Sequence, residues 1–108
     1  MLAPFQSNHF TDADGNPAGG STFGVGFAIS WQNGPLGASA SPDRLAPNGA
    51  FVETLIAAAK DRIDFYQSSK FNCADNAEAA AHLEAALVAL QRRTASRTAR
   101  GVEGTHAA

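Results

Sequence analysis

From Thr22 to Gln32 apolar and small or polar residues alternate without a break: Phe23, Val25, Phe27, Ile29 and Trp31 interleave with Gly24, Gly26, Ala28 and Ser30. A period of two is the signature of a strand with one apolar face, so this segment is predicted as a β-strand. Its small-residue face would admit close approach by another backbone or a flat ligand. The preceding 21 residues, with Asp14-Gly15-Asn16-Pro17 and Gly19-Gly20, have turn chemistry and are predicted as loop. Asn33-Gly34-Pro35 stops the strand, and residues 36–47 have loop composition.

Beyond residue 47 the period changes. Asn48 can cap a helix in which Val52, Leu55, Ile56, Ala59, Ile63 and Tyr66 recur at helical spacing to about Lys70. Ser68-Ser69-Lys70-Phe71-Asn72 breaks it. A second helix is predicted from Ala74 or Asp75 to about Arg100, on the spacing of Ala80, Leu83, Leu87 and Leu90, with Gly101 as the residue that ends it. Two long helices with a short connection read as an antiparallel hairpin. The fold class is therefore α+β: a single domain over 1–108, with a loop and short antiparallel β part in 1–47 followed by a two-helix hairpin and tail in 48–106. Phe65, Tyr66 and Phe71 straddle the connection and are expected mostly in the core.

Composition adds exclusions. No run approaches the ~20 apolar residues of a membrane span, and no basic segment precedes an apolar one in the manner of a secretory signal. Cys73, the single cysteine, has no intrachain disulfide partner and is expected as a small packed residue. Asp12-Ala13-Asp14-Gly15-Asn16 resembles the start of a calcium loop, but Pro17 and Phe23 stand where that loop requires Gly and Glu. His9, His82 and His106 have no metal-ligand spacing, and no nucleophile motif is present. No metal and no cofactor are expected.

Charge changes the picture most. Residues 1–50 carry three acidic and one basic group, 51–91 six and three, and 92–108 one and four, giving −2, −3 and +3, which sum to the net −2. The basic end contains Arg92, Arg93, Arg97 and Arg100. On a helix Arg93, Arg97 and Arg100 share a face, and like charges at that spacing repel unless an anion or carboxylates intervene. Interaction with the helix C-terminus plus salt bridges is one reading. Phosphate or nucleotide binding is another. DNA is disfavoured, because the chain is mildly acidic and the basic stripe stops there.

The run from Asn76 through Glu78, His82, Leu83, Glu84 and Leu87, and then Arg93-Thr94, Arg97 and Arg100-Gly101-Val102-Glu103-Gly104-Thr105-His106, resembles the C-terminal hairpin of phage anti-Thoeris and anti-CBASS sponge proteins. The resemblance covers roughly residues 48–106. It implies a non-enzymatic counter-defence protein of the host cytoplasm, encoded by a phage or prophage. Such a protein assembles into dimers or hexamers and sequesters cyclic ADP-ribose-type messengers, with cyclic di- or trinucleotides at separate sites in some members. It further implies ligand contacts at Tyr66, Asn76 and Arg93, with Arg44 as the candidate from the N-terminal half. Tyr66 stands where Phe is more frequent in the family, which leaves stacking intact. Arg97, Arg100, Thr105 and His106 are then candidates for a second nucleotide site or a subunit contact.

The residue types suit these roles. An aromatic face stacks a base, an amide hydrogen-bonds base or ribose, and Arg clamps a pyrophosphate. Asn76 and Arg93 lie seventeen residues apart on one helix, about 26 Å, so a small ligand touching both must take them from different subunits. Two rival functions remain: an oligomerisation module whose arginines pair with a neighbour's carboxylates, and a cyclic-nucleotide hydrolase centred on His9, Asp12 and Asp14.

Overall fold

The computed structural model describes residues 1–108 and contains β1 (Phe5–Thr11), β2 (Pro17–Gly24), β3 (Phe27–Ser30), α1 (Val52–Gln67) and α2 (Ala74–Ala99). Two compact units result: Met1–Phe51 with Arg100–Ala108, and Val52–Ala99. The three strands form an antiparallel meander in the order β1-β2-β3. The α+β class is as read from the sequence.

The strand pattern needed two corrections. Residues 1–21 are not loop: they contain β1 and the start of β2, paired from Phe5↔Gly24 to Thr11↔Pro17. β1 has no burial period because all seven of its residues are exposed, and Phe5 and Phe10, five apart, fall on opposite faces. Its strand character comes from its partner. The segment 22–32 is in turn two strands folded at Val25-Gly26, with Gly24 opposite Phe27. Gly26 takes the left-handed φ of 86° that the tight turn demands, and Val25 sits at the tip, 87% exposed. A two-residue turn inverts the parity of the alternation. Phe23, opposite Ala28, therefore lies on the other face from Phe27, Ile29 and Trp31.

Hydrogen bonds rather than burial hold this sheet. Thr22 is the only buried residue of the chain, 8% exposed; its hydroxyl accepts from Trp31 Nε1 at 2.8 Å and is 2.8 Å from Ser7 Oγ. At the β1–β2 turn, Asp12 Oδ1 accepts the backbone N–H groups of Asp14 and Asn16, each at 2.9 Å. The calcium-like run is thus a turn whose carboxylate is occupied by its own backbone. These bonds, that from the Asn16 backbone foremost, hold the Asp12 carboxyl below its ordinary range.

Asn48 does not cap α1. Its amide bridges the Asn33 backbone, accepting from N–H at 2.8 Å and donating to the carbonyl at 2.9 Å, while Ala50 bonds to Ser30 and Gln32 beside β3. The spacing to Val52 is too long for a cap, and the strand end offers the amide both a donor and an acceptor.

The 36–45 loop holds the tail. Gly37 N–H donates to Gly104 C=O at 2.8 Å, and Gly104, at a φ of 76°, lies so close that a Cβ there would strike the Gly37 carbonyl oxygen. Arg44 meets Glu103 with two parallel bonds, 2.7 and 3.1 Å, and a third goes to the Gly37 carbonyl at 2.9 Å. The two side chains keep 29% and 21% exposure, and Glu103 pushes the Arg44 guanidinium further up.

In the helical unit α1 and α2 pack as the expected hairpin. Leu55, Ile56 and Ile63 face a stripe of Ala79, Ala80, Leu83, Ala86, Leu87 and Leu90, all half-buried. Neither helix contains a buried residue. Cys73 is exposed rather than packed: it opens α2, its Sγ accepting the Asn76 N–H at 3.4 Å. The Gln67 amide grips the same residue, accepting from Cys73 N–H at 3.0 Å and donating to its C=O at 3.1 Å. Ser68 and Ser69 hydroxyls donate to the Phe65 and Tyr66 carbonyls and close α1.

Two outcomes follow. Asp12→Ala lowers the melting temperature at neutral pH; because the folded carboxyl titrates below its unfolded value near 3.9, the bonds stabilise above that value and fade as pH falls through the folded one. Melts of both proteins from pH 7 to pH 2 therefore converge at the acid end, and a gap that persists there refutes the assignment. Arg44→Glu releases the tail, seen as faster hydrogen exchange at the Gly37 amide, which donates to Gly104, and the swap Arg44→Glu with Glu103→Arg slows it again.

Candidate functional site

The end of α1 and the start of α2 bring chemistry together at the hairpin connection. Tyr66, on the last turn of α1, is 39% exposed. Asn76, on the first turn of α2, is half-buried, and one N–H of its amide reaches the Phe71 carbonyl at 3.4 Å. Its amide oxygen is left for another donor. Phe65 and Phe71, expected in the core with Tyr66, are instead 56% and 68% exposed. A 16-residue α1 beside the α2 stripe has a single face to bury, and Leu55, Ile56 and Ile63 occupy it.

One contributor was missed from the sequence. Arg62 lies with its guanidinium 4.8 Å from the Phe65 ring centroid and 5.0 Å from that of Tyr66, and Nε donates to the Tyr66 hydroxyl at 3.2 Å. The spacing i, i+3, i+4 of Arg62, Phe65 and Tyr66 is the signal of this cluster in the sequence. Lys70 stands 5.2 Å from the Phe71 centroid. The connection is thus an exposed aromatic and cationic surface.

Arg93 is not part of it. It is exposed on α2, about 26 Å along the helix axis from Asn76. α2 has 26 residues against 16 in α1, so in an antiparallel hairpin its last ten, about 15 Å, run beyond α1. Arg92, Arg93 and Arg97 stand on this overhang. No carboxylate of the chain pairs with Arg92 or Arg93.

The other candidates have structural partners. Arg44 is committed to Glu103. Arg100 lies one residue past α2, its Nη1 donating to the Ala108 carbonyl at 3.0 Å. Thr105 Oγ1 donates to the Val102 carbonyl at 2.6 Å and accepts from Ala107 N–H at 3.2 Å. His106 is exposed and Arg97 half-buried. On the sheet, a cleft of ≈ 450 Å³ lined by Phe10, Ser21, Ser30, Trp31, Asn33 and Asn48, among others, has no charged side chain. Of the hydrolase candidates, His9 and Asp14 are exposed and Asp12 is engaged by its turn. No three of the His, Cys, Asp and Glu side chains converge as a metal site would require, and no helix is long and apolar enough to cross a membrane.

The chain is similar to known proteins. Over 59 residues the chain is 52% identical to a protein of Bacillus phage SBSphiJ7 named Thoeris anti-defense 1. The match takes in 55% of this chain and 42% of the relative, so the chain spans less than half of that protein's length. The model of the Acb2/Tad1 hairpin domain matches residues 26–95, which include β3, α1 and α2 as far as Ala95, and with them Tyr66, Asn76 and Arg93. On that match, the chain belongs to the Acb2/Tad1 hairpin domain family.

Proposed function

We propose that this chain acts in phage counter-defence as a sponge: it binds a cyclic ADP-ribose-type messenger without cleaving it and so keeps a Thoeris or CBASS effector unactivated in the host cytoplasm. The observation that carries this reading is the placement of an exposed Tyr66 and a partly uncommitted Asn76 amide at the hairpin connection of a chain related to an anti-Thoeris protein. The aromatic ring stacks the adenine, and the amide oxygen accepts from the base or ribose.

The pyrophosphate takes Arg93 of another subunit. About 26 Å of rigid helix separates that side chain from Asn76 in one chain, and a guanidinium with no carboxylate partner has its donors unspent. Two helices without a single buried residue support the homo-oligomer this requires. Arg44, spent on Glu103, serves the ligand indirectly by fixing the tail. Sequestration asks for no general base, metal or nucleophile.

Purified protein is expected to deplete free cyclic ADP-ribose isomers, and heating the complex to return them intact; recovery of a cleaved product would indicate an enzyme. Arg93→Ala abolishes binding while native mass spectrometry finds the assembly unchanged. Dissociation on that substitution would favour the rival role, arginines bridging subunits. Because each site draws on two chains, mixing Tyr66→Ala with Arg93→Ala subunits restores part of the binding that neither variant has alone, since one site per mixed pair is intact. No recovery in a verified hetero-oligomer rejects the shared site.

A further inference from the structure

Two basic side chains of the hairpin connection are directed at aromatic rings and not at a carboxylate: Lys70 meets the single ring of Phe71, and Arg62 meets two rings at once. Lys60, two residues earlier on the same helix, is paired with Asp64 at 2.9 Å. Arg62 instead spans Phe65 and Tyr66, at 4.8 and 5.0 Å from their centroids. The two rings are 6.0 Å apart and tilted by 57°, so one planar guanidinium contacts both. Its Nε is fixed by the bond to the Tyr66 hydroxyl at 3.2 Å. That bond uses one of five donors, and those of the two Nη groups remain.

We infer that Arg62 is a positioning residue for the nucleotide site, and through its remaining donors a specificity residue for a phosphate-bearing purine. The inference rests on the sponge reading. The exposed Tyr66 side chain would otherwise sample several rotamers and lose them on stacking a base. Arg62 lies against the ring and holds its hydroxyl, so a share of that ordering is complete before the ligand arrives. The Nη groups are then within one side chain's reach of a base stacked on Tyr66 and can donate to its adjoining phosphate. A neutral nucleoside gains only the first effect.

Lysine cannot substitute. It keeps the charge but has neither the flat face that contacts two rings nor the Nε–H that orients the hydroxyl.

Titration calorimetry with cyclic ADP-ribose and with adenosine, on the assembled full chain, tests this. Arg62→Gln is expected to weaken cyclic ADP-ribose about tenfold and adenosine about threefold, with melting temperature and native mass unchanged. Arg62→Lys recovers less than half of the loss on a logarithmic scale. In a Tyr66→Phe background, which keeps the ring and removes the hydroxyl, the effect of Arg62→Gln shrinks.

Tyr66 is the only tyrosine of the chain, so its ring signals in NMR spectra are assigned without ambiguity, and Arg62→Gln shifts them in the unliganded protein. A side chain that merely stabilised α1 would move the melting temperature and leave the ratio between the two ligands alone. Equal affinity of wild type and Arg62→Gln for cyclic ADP-ribose overturns the inference with the sponge reading intact. Full rescue by Arg62→Lys overturns the positioning role. A wild-type protein that binds no cyclic ADP-ribose overturns both. Should Arg62→Gln disturb the assembly, Arg62→Lys against Tyr66→Phe carries the same comparison.

Discussion

An unbroken α2 is the constraint on which the site depends. Twenty-six residues from Ala74 to Ala99 contain no Gly or Pro and no kink-forming interruption, so the distance between any two of its side chains is fixed by helix geometry. Asn76 and Arg93 fall at its two ends. Because α1 is ten residues shorter, 16 against 26, the arginines are carried beyond the partner helix, where their mutual repulsion meets no carboxylate at Arg92 or Arg93. A single chain thus presents an aromatic and amide surface at one end and a cationic surface at the other. A ligand of nucleotide size can join them only across a subunit boundary.

A chain that buries this little suits the assembly proposed above. Thr22 is its one buried residue, and polar contacts join parts of the chain within each unit, near and distant in sequence: the Thr22 hydroxyl between Ser7 and Trp31, the Asp12 turn, the Asn48 amide on Asn33, the Arg44–Glu103 pair and the Gln67 grip on Cys73. Bonds so open to solvent each contribute little net stability, whereas a fully buried Leu or Ile supplies about 1.5–3 kcal/mol. The half-buried stripe of α1 and α2 realises only part of that. Hydrogen bonds specify these units; further apolar burial between copies is what would stabilise them.

Legibility from the sequence followed burial. The hairpin was readable because its stripe, though only half covered, repeats at 3.6 residues over many turns. β1 was not, since a strand exposed at every position imposes no alternation on its side chains. The 22–32 segment misled for the opposite reason: its alternation is unbroken in the sequence, yet a two-residue turn at Val25-Gly26 reverses which face each residue takes. Asn48 and Cys73 show the limits of residue preference. Asn is a common cap and Cys commonly packs, but an available backbone pair at Asn33 and the first N–H groups of α2 decided otherwise. At the candidate site, Tyr66 and Asn76 stood out by resemblance and Arg62 by nothing but its spacing.

The arginine-rich ending, which reads as one anion-binding feature, divides physically where α2 stops. Gly101 adopts a φ of 72° and turns the chain; Glu103 is drawn to Arg44, Gly104 seats against Gly37, and Thr105 spends its hydroxyl on the turn. Much of the Gly-Val-Glu-Gly-Thr-His segment is therefore consumed in fixing the tail to the 36–45 loop, and its glycines are demanded by backbone geometry rather than by a ligand. Arg93 differs in kind. It lies on a rigid helix, exposed, with no partner that would explain its charge, and a cation without a structural use is where a binding role carries most weight. Arg100, bonded to the Ala108 carbonyl, is turned instead toward its own tail. One charged segment thus contains two unlike parts, and only the helical part has a geometry that a second subunit could complete.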